Sequence, residues 1–113
     1  MYQHTAMGNE IRVVRDYRRE HGDGSIERVK IIRVPESKKF PAGVKYRLHH
    51  SGTDEYPEFR YDNSHGYHEV HVGNEAREIA YPGITELFHR FGIVVDRRLS
   101  EPENPTANRE ENP

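Results

Sequence analysis

Apolar and polar residues alternate along most of the chain up to residue 72, a spacing that is typical of β-strands with one buried face. The pattern predicts five strands, at residues 10–19, 26–34, 44–50, 58–62 and 67–72. The first two are separated by His21-Gly22-Asp23-Gly24, whose glycines and aspartate favour a tight turn. We therefore expect these two strands to form a hairpin.

A different spacing appears further along, where Ile84, Leu87, Phe88 and Phe91 form one apolar stripe at the helical period. Gly92 occupies the place of a left-handed C-cap, so we expect the helix to end there and residues 93–95 to form a short final strand. Together these elements predict an α+β fold, an antiparallel β-sheet with one C-terminal helix packed on one face.

The predicted strands have a polar face that the helix does not cover. The inward positions are Val44, Tyr46, Leu48, Phe59 and Tyr61, and the outward ones are Lys45, Arg47, His49, Arg60 and Asp62. The outward set suits RNA phosphates, and Lys45, Arg47 and Arg60 are the candidate RNA-binding residues. An ordinary solvated surface is the alternative, because any one-sided antiparallel sheet shows charged residues to water.

The composition changes this picture mainly at the end of the chain. The 113 residues suffice for one domain with a small core, since only 33% are hydrophobic. Residues 100–113 contain three prolines and no large apolar side chain, which predicts a disordered acidic tail. Its four glutamates and one arginine give a net charge of −3, which leaves +1 of the whole-chain −2 for residues 1–99. We expect a flexible segment at 1–9, a single domain at 10–99, and nucleic-acid binding through a local patch.

Some classes of protein are excluded by what the sequence lacks. The chain contains no cysteine, so disulfide bonds and thiolate metal sites are ruled out. No apolar run has the length of a membrane span, and the N-terminus lacks the apolar stretch of a signal peptide. A cytoplasmic protein with no membrane contact is therefore expected.

The densest candidate chemistry lies in residues 61–71, YDNSHGYHEVH, which hold three of the eight histidines. The candidate catalytic residues are His65, His68, His71, Tyr61, Asp62 and Asn63. Histidine suits proton transfer because its unperturbed pKa is about 6.5. In the first hypothesis two histidines cleave RNA without metal, Tyr61 or Asp62 orients one of them, and Lys45 or Arg47 holds phosphate.

The choice of histidine pair depends on strand geometry. His68 and His71 are the first candidates, but in a regular strand they point to opposite faces and do not share a substrate. A bulge or an early strand end would remove this conflict. His65 and His71 are the pair that a regular strand tolerates best.

Two other interpretations of the motif stay open. Asp62, His65, His68 and His71 offer enough nitrogen and oxygen ligands for Zn²⁺ or another divalent ion, which would make a metal-dependent nuclease. Residues 62–66 are also favourable turn sequence, since Asp and Asn bond their own backbone and Gly66 can adopt positive φ. In that case the chain is a non-catalytic module for RNA or protein. Outside the motif, His49 and His50 are expected to be solvated.

Three segments resemble the TumE family of small toxins from toxin–antitoxin pairs. The first is the Tyr-Asp-Asn triplet at 61–63, followed after two residues by Gly66 and paired histidines. The others are Asp23-Gly24-Ser25 before the strand that leads to Arg33-Val34-Pro35, and the strand Gly43-Val44-Lys45-Tyr46-Arg47-Leu48. The resemblance covers roughly residues 10–95. Here Glu69 and Val70 separate the last two histidines, where the family has a compact His-Arg-His block.

The resemblance implies a partner antitoxin, usually a DNA-binding protein from the neighbouring gene, and growth arrest through an RNA target. We therefore expect the toxin component of such a pair, a small RNA-cleaving enzyme that uses histidine acid–base chemistry and no cofactor. RNA and the cognate antitoxin are the expected partners, and a homodimer stays open. His68→Ala and His71→Ala are each expected to reduce toxicity with the fold intact.

Overall fold

The computed structural model describes residues 10–100 as a six-stranded antiparallel sheet followed by one helix. The strands are β1 (Arg12–Glu20), β2 (Ile26–Arg33), β3 (Val44–His50), β4 (Phe59–Asp62), β5 (Glu69–Val72) and β6 (Glu75–Glu78), and the helix is α1 (Ile84–Ser100). Each strand pairs with the next one along the chain. The α+β fold class is confirmed. The segments predicted to be flexible, 1–9 and the tail beyond residue 100, lie outside the described residues.

The five predicted strands are present with bounds shifted by at most two residues, and β6 is an addition. Nothing in the apolar pattern predicts β6, because its sequence Glu-Ala-Arg-Glu has no alternation and all four residues are exposed. Val72 pairs with Glu75, so Gly73 and Asn74 form a two-residue hairpin loop, with Gly73 at a φ of 60°. That glycine–asparagine pair is the local signal for the strand.

The predicted end of the helix is wrong. α1 continues through Gly92 and through residues 93–95, which were expected to form a strand. Leu87, Phe91 and Val95 are buried one helical turn apart, so the apolar stripe extends past the glycine. Packing this stripe on the sheet outweighs the helix penalty of one glycine, about 1 kcal/mol. Within residues 10–100, no helix has the length and apolar character needed to cross a membrane.

The hydrophobic core lies between α1 and one face of the sheet. Tyr46 and Leu48 of β3 are at most 2% exposed, as are Leu87 and Phe91 of the helix. Phe91 stacks on Phe59 with 6.1 Å between ring centroids. Because side chains alternate along a strand, the same strands present polar residues on the opposite side, which we call the open face.

Candidate active site on the open face

The open face carries two rows of polar side chains across the central strands. In one row His49 pairs with Arg60 and Arg60 with His71, and in the next Arg47 pairs with Asp62 and Asp62 with Glu69. Directly opposed residues of an antiparallel pair have Cβ atoms about 5 Å apart. The register of β3, β4 and β5 therefore brings these side chains together on one surface.

Three of these side chains, together with His65 from the turn after β4, form what we call the histidine–carboxylate cluster: Asp62, His65, Glu69 and His71. His71 Nε2 lies 3.2 Å from Glu69 Oε1 and 3.8 Å from Asp62 Oδ2. His65 Nδ1 lies 3.8 Å from the same Glu69 oxygen. The side chains of His65 and His71 are 71% and 19% exposed, so two imidazoles converge on one carboxylate within reach of solvent.

Asp62 fixes one side of this cluster. Its Oδ2 accepts a hydrogen bond from Arg60 Nε at 2.6 Å, and its Oδ1 accepts from the backbone N–H and the hydroxyl of Ser64 at 3.2 and 3.1 Å. Burial by itself would raise the pKa of Asp62, but the hydrogen bonds from Arg60 and Ser64 outweigh it and hold that pKa below its usual value. Asp62 is therefore a carboxylate at neutral pH, held in one orientation.

Arg60 links the cluster to a further carboxylate. Its NH1 donates to Glu58 Oε2 at 3.3 Å, and His49 Nε2 lies 2.6 Å from that same oxygen. The guanidinium of Arg60 is thus held between Glu58 and Asp62. Arg60 was a candidate RNA-binding residue, and in this position its charge is largely balanced by the two carboxylates.

Asn63 builds the turn that carries His65. Its side-chain oxygen accepts from the N–H of Tyr46 at 2.9 Å, and its amide nitrogen donates to the carbonyl of Val44 at 2.8 Å. Its own carbonyl accepts from the N–H of Gly66, which has a φ of 95°. The side chain of Asn63 therefore extends the pairing of β3 beyond the end of β4. Since Asn63 is 2% exposed and both of its amide atoms are bound, its geometry is that of a turn-shaping residue.

His68 and Tyr61 lie on the core side of the sheet, away from the cluster. His68 Nδ1 is 2.7 Å from the hydroxyl of Tyr46, and its ring stacks on Tyr81 with 4.1 Å between centroids. Burial lowers the pKa of His68, which favours the neutral imidazole. Tyr61 is 9% exposed. The structure therefore separates His68 from His71 by the sheet itself, whereas His65, Asp62 and His71 come together.

A shallow groove of about 480 Å³ lies on the open face, lined in part by Ser64 next to the cluster. Lys30, Lys45 and Arg47 give it a positive surface, and we call it the basic groove. All three side chains are exposed, and none of them forms an ion pair with any residue of the described chain. Uncompensated cations on a concave surface attract an anionic ligand.

The cluster also contains donor atoms suited to a divalent cation. One ligand atom each from Asp62, Glu69 and His71 lies within 4.8 Å of the others. Carboxylate oxygen and imidazole nitrogen are usual ligands of Zn²⁺ and Mn²⁺. The set expected from the sequence was Asp62, His65, His68 and His71. Of these, His65 is not in the donor group and His68 is on the other side of the sheet, while Glu69 is an addition.

A second polar cluster, the His50 cluster, lies under the C-terminal end of α1 and consists of Asp23, Ser25, His50 and Arg98. His50 and Ser25 are 0% exposed, so the expectation that His50 is solvated is wrong. Arg98 NH1 is 3.2 Å from His50 Nδ1, His50 Nε2 is 2.9 Å from Ser25 Oγ, and Ser25 Oγ donates to Asp23 Oδ1 at 2.6 Å. Because arginine can only donate, Nδ1 of His50 accepts and Nε2 carries the proton. Burial lowers the pKa of His50, and the charge of Arg98 lowers it further.

Glu69 is the member of the candidate site that the sequence pattern did not single out. It lies two residues before His71 on β5, and residues two apart on a strand share a face. Its side chain is 14% exposed, and its Oε1 is the atom on which both imidazoles converge. The i, i+2 spacing of Glu69 and His71 could have indicated that the two share a face. That spacing gives no sign that the turn brings His65 back to Glu69.

A comparison with protein families places these observations in context. The model of the family described as Toxin TumE matches residues 6–99. This match confirms the resemblance inferred from the motif at 61–71 and the two segments before it. Searches of curated proteins and of solved structures found no match.

Proposed function

Since the chain belongs to the TumE toxin family, whose members are toxin components of toxin–antitoxin pairs, we propose that it arrests growth by cleaving RNA on its open face. The proposed acid–base pair is His65 and His71. The observation that carries the proposal is the convergence of these two imidazoles on Glu69 Oε1, at 3.8 and 3.2 Å, in the cluster that Ser64 joins to the basic groove. The protein would act in the cytoplasm, where its RNA targets and its antitoxin are made.

Cleavage in this proposal is an internal transfer of the RNA phosphate. One histidine, neutral at the start, takes the proton of the 2′-hydroxyl, and the resulting oxyanion attacks the adjacent phosphorus. The other histidine, protonated at the start, gives its proton to the 5′-oxygen as the bond between that oxygen and phosphorus breaks. The products are a 2′,3′-cyclic phosphate and a 5′-hydroxyl, and the two histidines have exchanged protonation states.

The remaining residues of the open face position the pair and the substrate. Glu69 contacts both imidazoles, and Asp62 lies 3.8 Å from the same His71 nitrogen, so the two carboxylates favour one ring orientation. Lys45 and Arg47 hold the RNA phosphates and stabilise the negative charge that grows on the pentacoordinate phosphorus. His68 has no part in this chemistry, because it lies on the core side of the sheet.

The experiment is incubation of the purified protein with cellular RNA, with and without EDTA, beside alanine variants of His65, His71 and His68. We expect cleavage that survives EDTA, leaves 2′,3′-cyclic phosphate ends, and is strongly reduced in the His65→Ala and His71→Ala proteins. His89→Ala, a change at an exposed histidine of α1, is the matched control and is expected to cleave like wild type. Full cleavage by the His71→Ala protein would refute the proposed pair. RNA binding without cleavage under any condition would favour the non-catalytic module.

A metal-dependent nuclease is the second candidate, and the donor geometry of Asp62, Glu69 and His71 is the observation that favours it. A divalent ion held there would polarise a phosphate oxygen or activate a water for attack. In that case EDTA abolishes cleavage, Mn²⁺ or Zn²⁺ restores it, and the products carry 5′- or 3′-phosphates without a cyclic intermediate. Glu69→Gln separates the two mechanisms further. It removes a metal ligand and so impairs the metal-dependent nuclease, but it retains a hydrogen-bonding group beside the imidazoles, which the metal-free mechanism tolerates better.

A further inference from the structure

A second groove, of about 730 Å³, lies on the core side of the sheet between β1 and α1. Its strand wall includes Arg15, Tyr17 and Arg19 of β1 and Glu27 of β2, and its helix wall includes Phe88, Ile93 and Asp96. The helix lies over the centre of the sheet, closest to β3, and leaves the flank of β1 uncovered. We call this region the β1 groove. It is on the opposite side of the sheet from the histidine–carboxylate cluster.

The strand that borders this groove is open to pairing. β1 is nine residues long and is the edge strand of the sheet, so its outer edge has no strand partner within residues 10–100. A bulge lies between Val13 and Arg15, and the register is regular from there to Glu20. Exposed edges of this length are usually blocked or paired, because they present unsatisfied N–H and C=O groups.

The groove combines an apolar helix wall with charges of both signs, Arg15 and Arg19 against Glu27 and Asp96, and Arg19 NH1 lies 3.7 Å from Glu27 Oε1. Ile93 on the helix wall is 44% exposed. Arg15 lies over the ring of Phe88 at 5.4 Å and forms no ion pair among the described residues. The strand as a whole carries four arginines against one aspartate and one glutamate.

The charge and composition of the chain argue against two of the three available occupants. A second copy that paired β1 with β1 would oppose two strands of the same net positive charge, which destabilises a sheet. The chain's own segment 101–113 is acidic, but it has no large apolar residue to fill the groove and contains three prolines that cannot donate backbone hydrogen bonds. What remains is a separate protein.

We infer that the β1 groove binds an extended, acidic segment of the antitoxin, which adds a seventh strand at residues 15–20 of β1. The backbone of that segment pairs with the outer edge of β1, and its alternate apolar side chains enter the groove against Ile93 and Phe88. At the rim its carboxylates meet Arg15, which has no ion pair among the described residues, and Arg19, which they share with Glu27. The inference rests on the family membership and on this groove, and it does not depend on the RNA chemistry of the open face.

One consequence distinguishes this site from direct inhibition. Because the groove and the open face are on opposite sides of the sheet, the bound strand leaves Lys45 and Arg47 accessible. The toxin–antitoxin complex is therefore expected to retain affinity for RNA in a filter-binding assay.

The test is titration calorimetry of the purified full-length chain with its purified antitoxin. In the Arg15→Glu/Arg19→Glu double variant we expect antitoxin affinity to fall by about tenfold or more, because two favourable charge contacts become repulsive. Lys45→Glu/Arg47→Glu is the matched control, an equal change of charge on the other side of the sheet, and is expected to change the affinity by less than about threefold. Ile93→Asp tests the apolar wall separately and should weaken binding as well.

Amide hydrogen exchange on the wild-type chain gives a second readout that does not depend on whether a variant folds. Antitoxin binding is expected to slow exchange at those amides of residues 15–20 that do not bond to β2, and to leave the open-face turn at 63–66 unchanged. Loss of affinity in the open-face control alone, or protection confined to the open face, would overturn the inference. Protection, without antitoxin, of the β1 amides that do not bond to β2 would also overturn it. If that protection rises with concentration the occupant is a second copy, and if it does not the occupant is the chain's own tail.

Discussion

The histidine–carboxylate cluster and the His50 cluster are built from the same kinds of side chain and differ in what those side chains leave free. In the His50 cluster both ring nitrogens have partners, Arg98 and Ser25, and the histidine is 0% exposed. In the cluster on the open face, His71 is held through one nitrogen, Nε2, and the one polar contact of His65 among the described residues is the 3.8 Å approach of its Nδ1 to Glu69. A histidine with both nitrogens bound inside the protein stabilises the fold, whereas one with a nitrogen open to solvent is available for proton transfer.

The largest effect expected from this comparison is on RNA cleavage. His71→Ala is expected to reduce RNA cleavage by about 10²- to 10⁴-fold, the usual contribution of a general acid or base. Its thermal midpoint should stay close to wild type, because the removed ring is held by contacts at the surface. Initial cleavage rates and a melting curve on the same preparation check both parts. A large fall in the midpoint would mean that His71, like His50, is structural.

The reciprocal change is expected at the buried site. His50→Ala should lower the free energy of unfolding by roughly 2–4 kcal/mol, because it leaves a cavity and removes a partner from both Arg98 and Ser25. Per folded molecule, RNA cleavage should be unchanged. Denaturant unfolding measures the first quantity, with His89→Ala on the exposed side of α1 as the control. Unchanged stability in the His50→Ala protein would contradict the role assigned to this cluster.

Asn63 provides an intermediate case, since it is buried but belongs to the turn of the active site. Asn63→Ala is expected to cost about 1–3 kcal/mol of unfolding free energy, because the N–H of Tyr46 and the carbonyl of Val44 lose their partner. Cleavage should fall as well, since the turn that places His65 loosens. Ser64→Ala, an exposed neighbour, should change stability much less. Wild-type stability of Asn63→Ala would show that the turn does not need the amide.

The stability that the His50 cluster provides should also depend on pH. The pKa of His50 is lower in the folded chain than its unfolded value of about 6.5. Between the folded and unfolded pKa values the unfolded state binds more protons, so stability is fully present above pH 6.5 and is lost as the pH falls toward the folded pKa. His68 shifts in the same direction and adds to this slope. Denaturation midpoints should therefore fall as the pH is lowered from 7.5 to 5, and they should fall less steeply in the His50→Ala protein. An equal slope in both proteins would count against His50 as a titrating group.

The smallest expected effect concerns the basic groove. Lys45→Ala should weaken RNA binding similarly for all sequences and reduce the slope of log affinity against log salt by about 1, as loss of one phosphate contact requires. Arg60→Ala should reduce that slope less, since its charge is already balanced by Glu58 and Asp62. Fluorescence titration with a labelled single-stranded RNA at several salt concentrations makes the comparison. Identical slopes for Lys45→Ala and wild type would exclude the groove as the phosphate site.

Much of this fold could be predicted from local pattern. The alternation at 44–50 correctly divides Tyr46 and Leu48 from Lys45 and Arg47, and the stripe from Ile84 to Phe91 correctly predicts a helix. The errors occur where local signals conflict with packing. Gly92 suggests a helix end, but the burial of Val95 carries the helix onward. His50 is the last residue of an alternating strand and, as a polar residue, was expected to be solvated. It is buried instead, beside Arg98, which is distant in sequence.

The amino-acid sequence by itself determined the class of fold, the open face with its basic residues, and the motif that connects the chain to the TumE family. These depend on periodicity and on turn residues, which act over a few positions. Only the tertiary structure decided which histidines meet. The register of β4 and β5 places Asp62 beside Glu69, the turn at Asn63 returns His65 to them, and the thickness of the sheet separates His68 from His71. Proton transfer requires side chains to be within a few ångströms, and that proximity is set by strand pairing rather than by spacing along the chain.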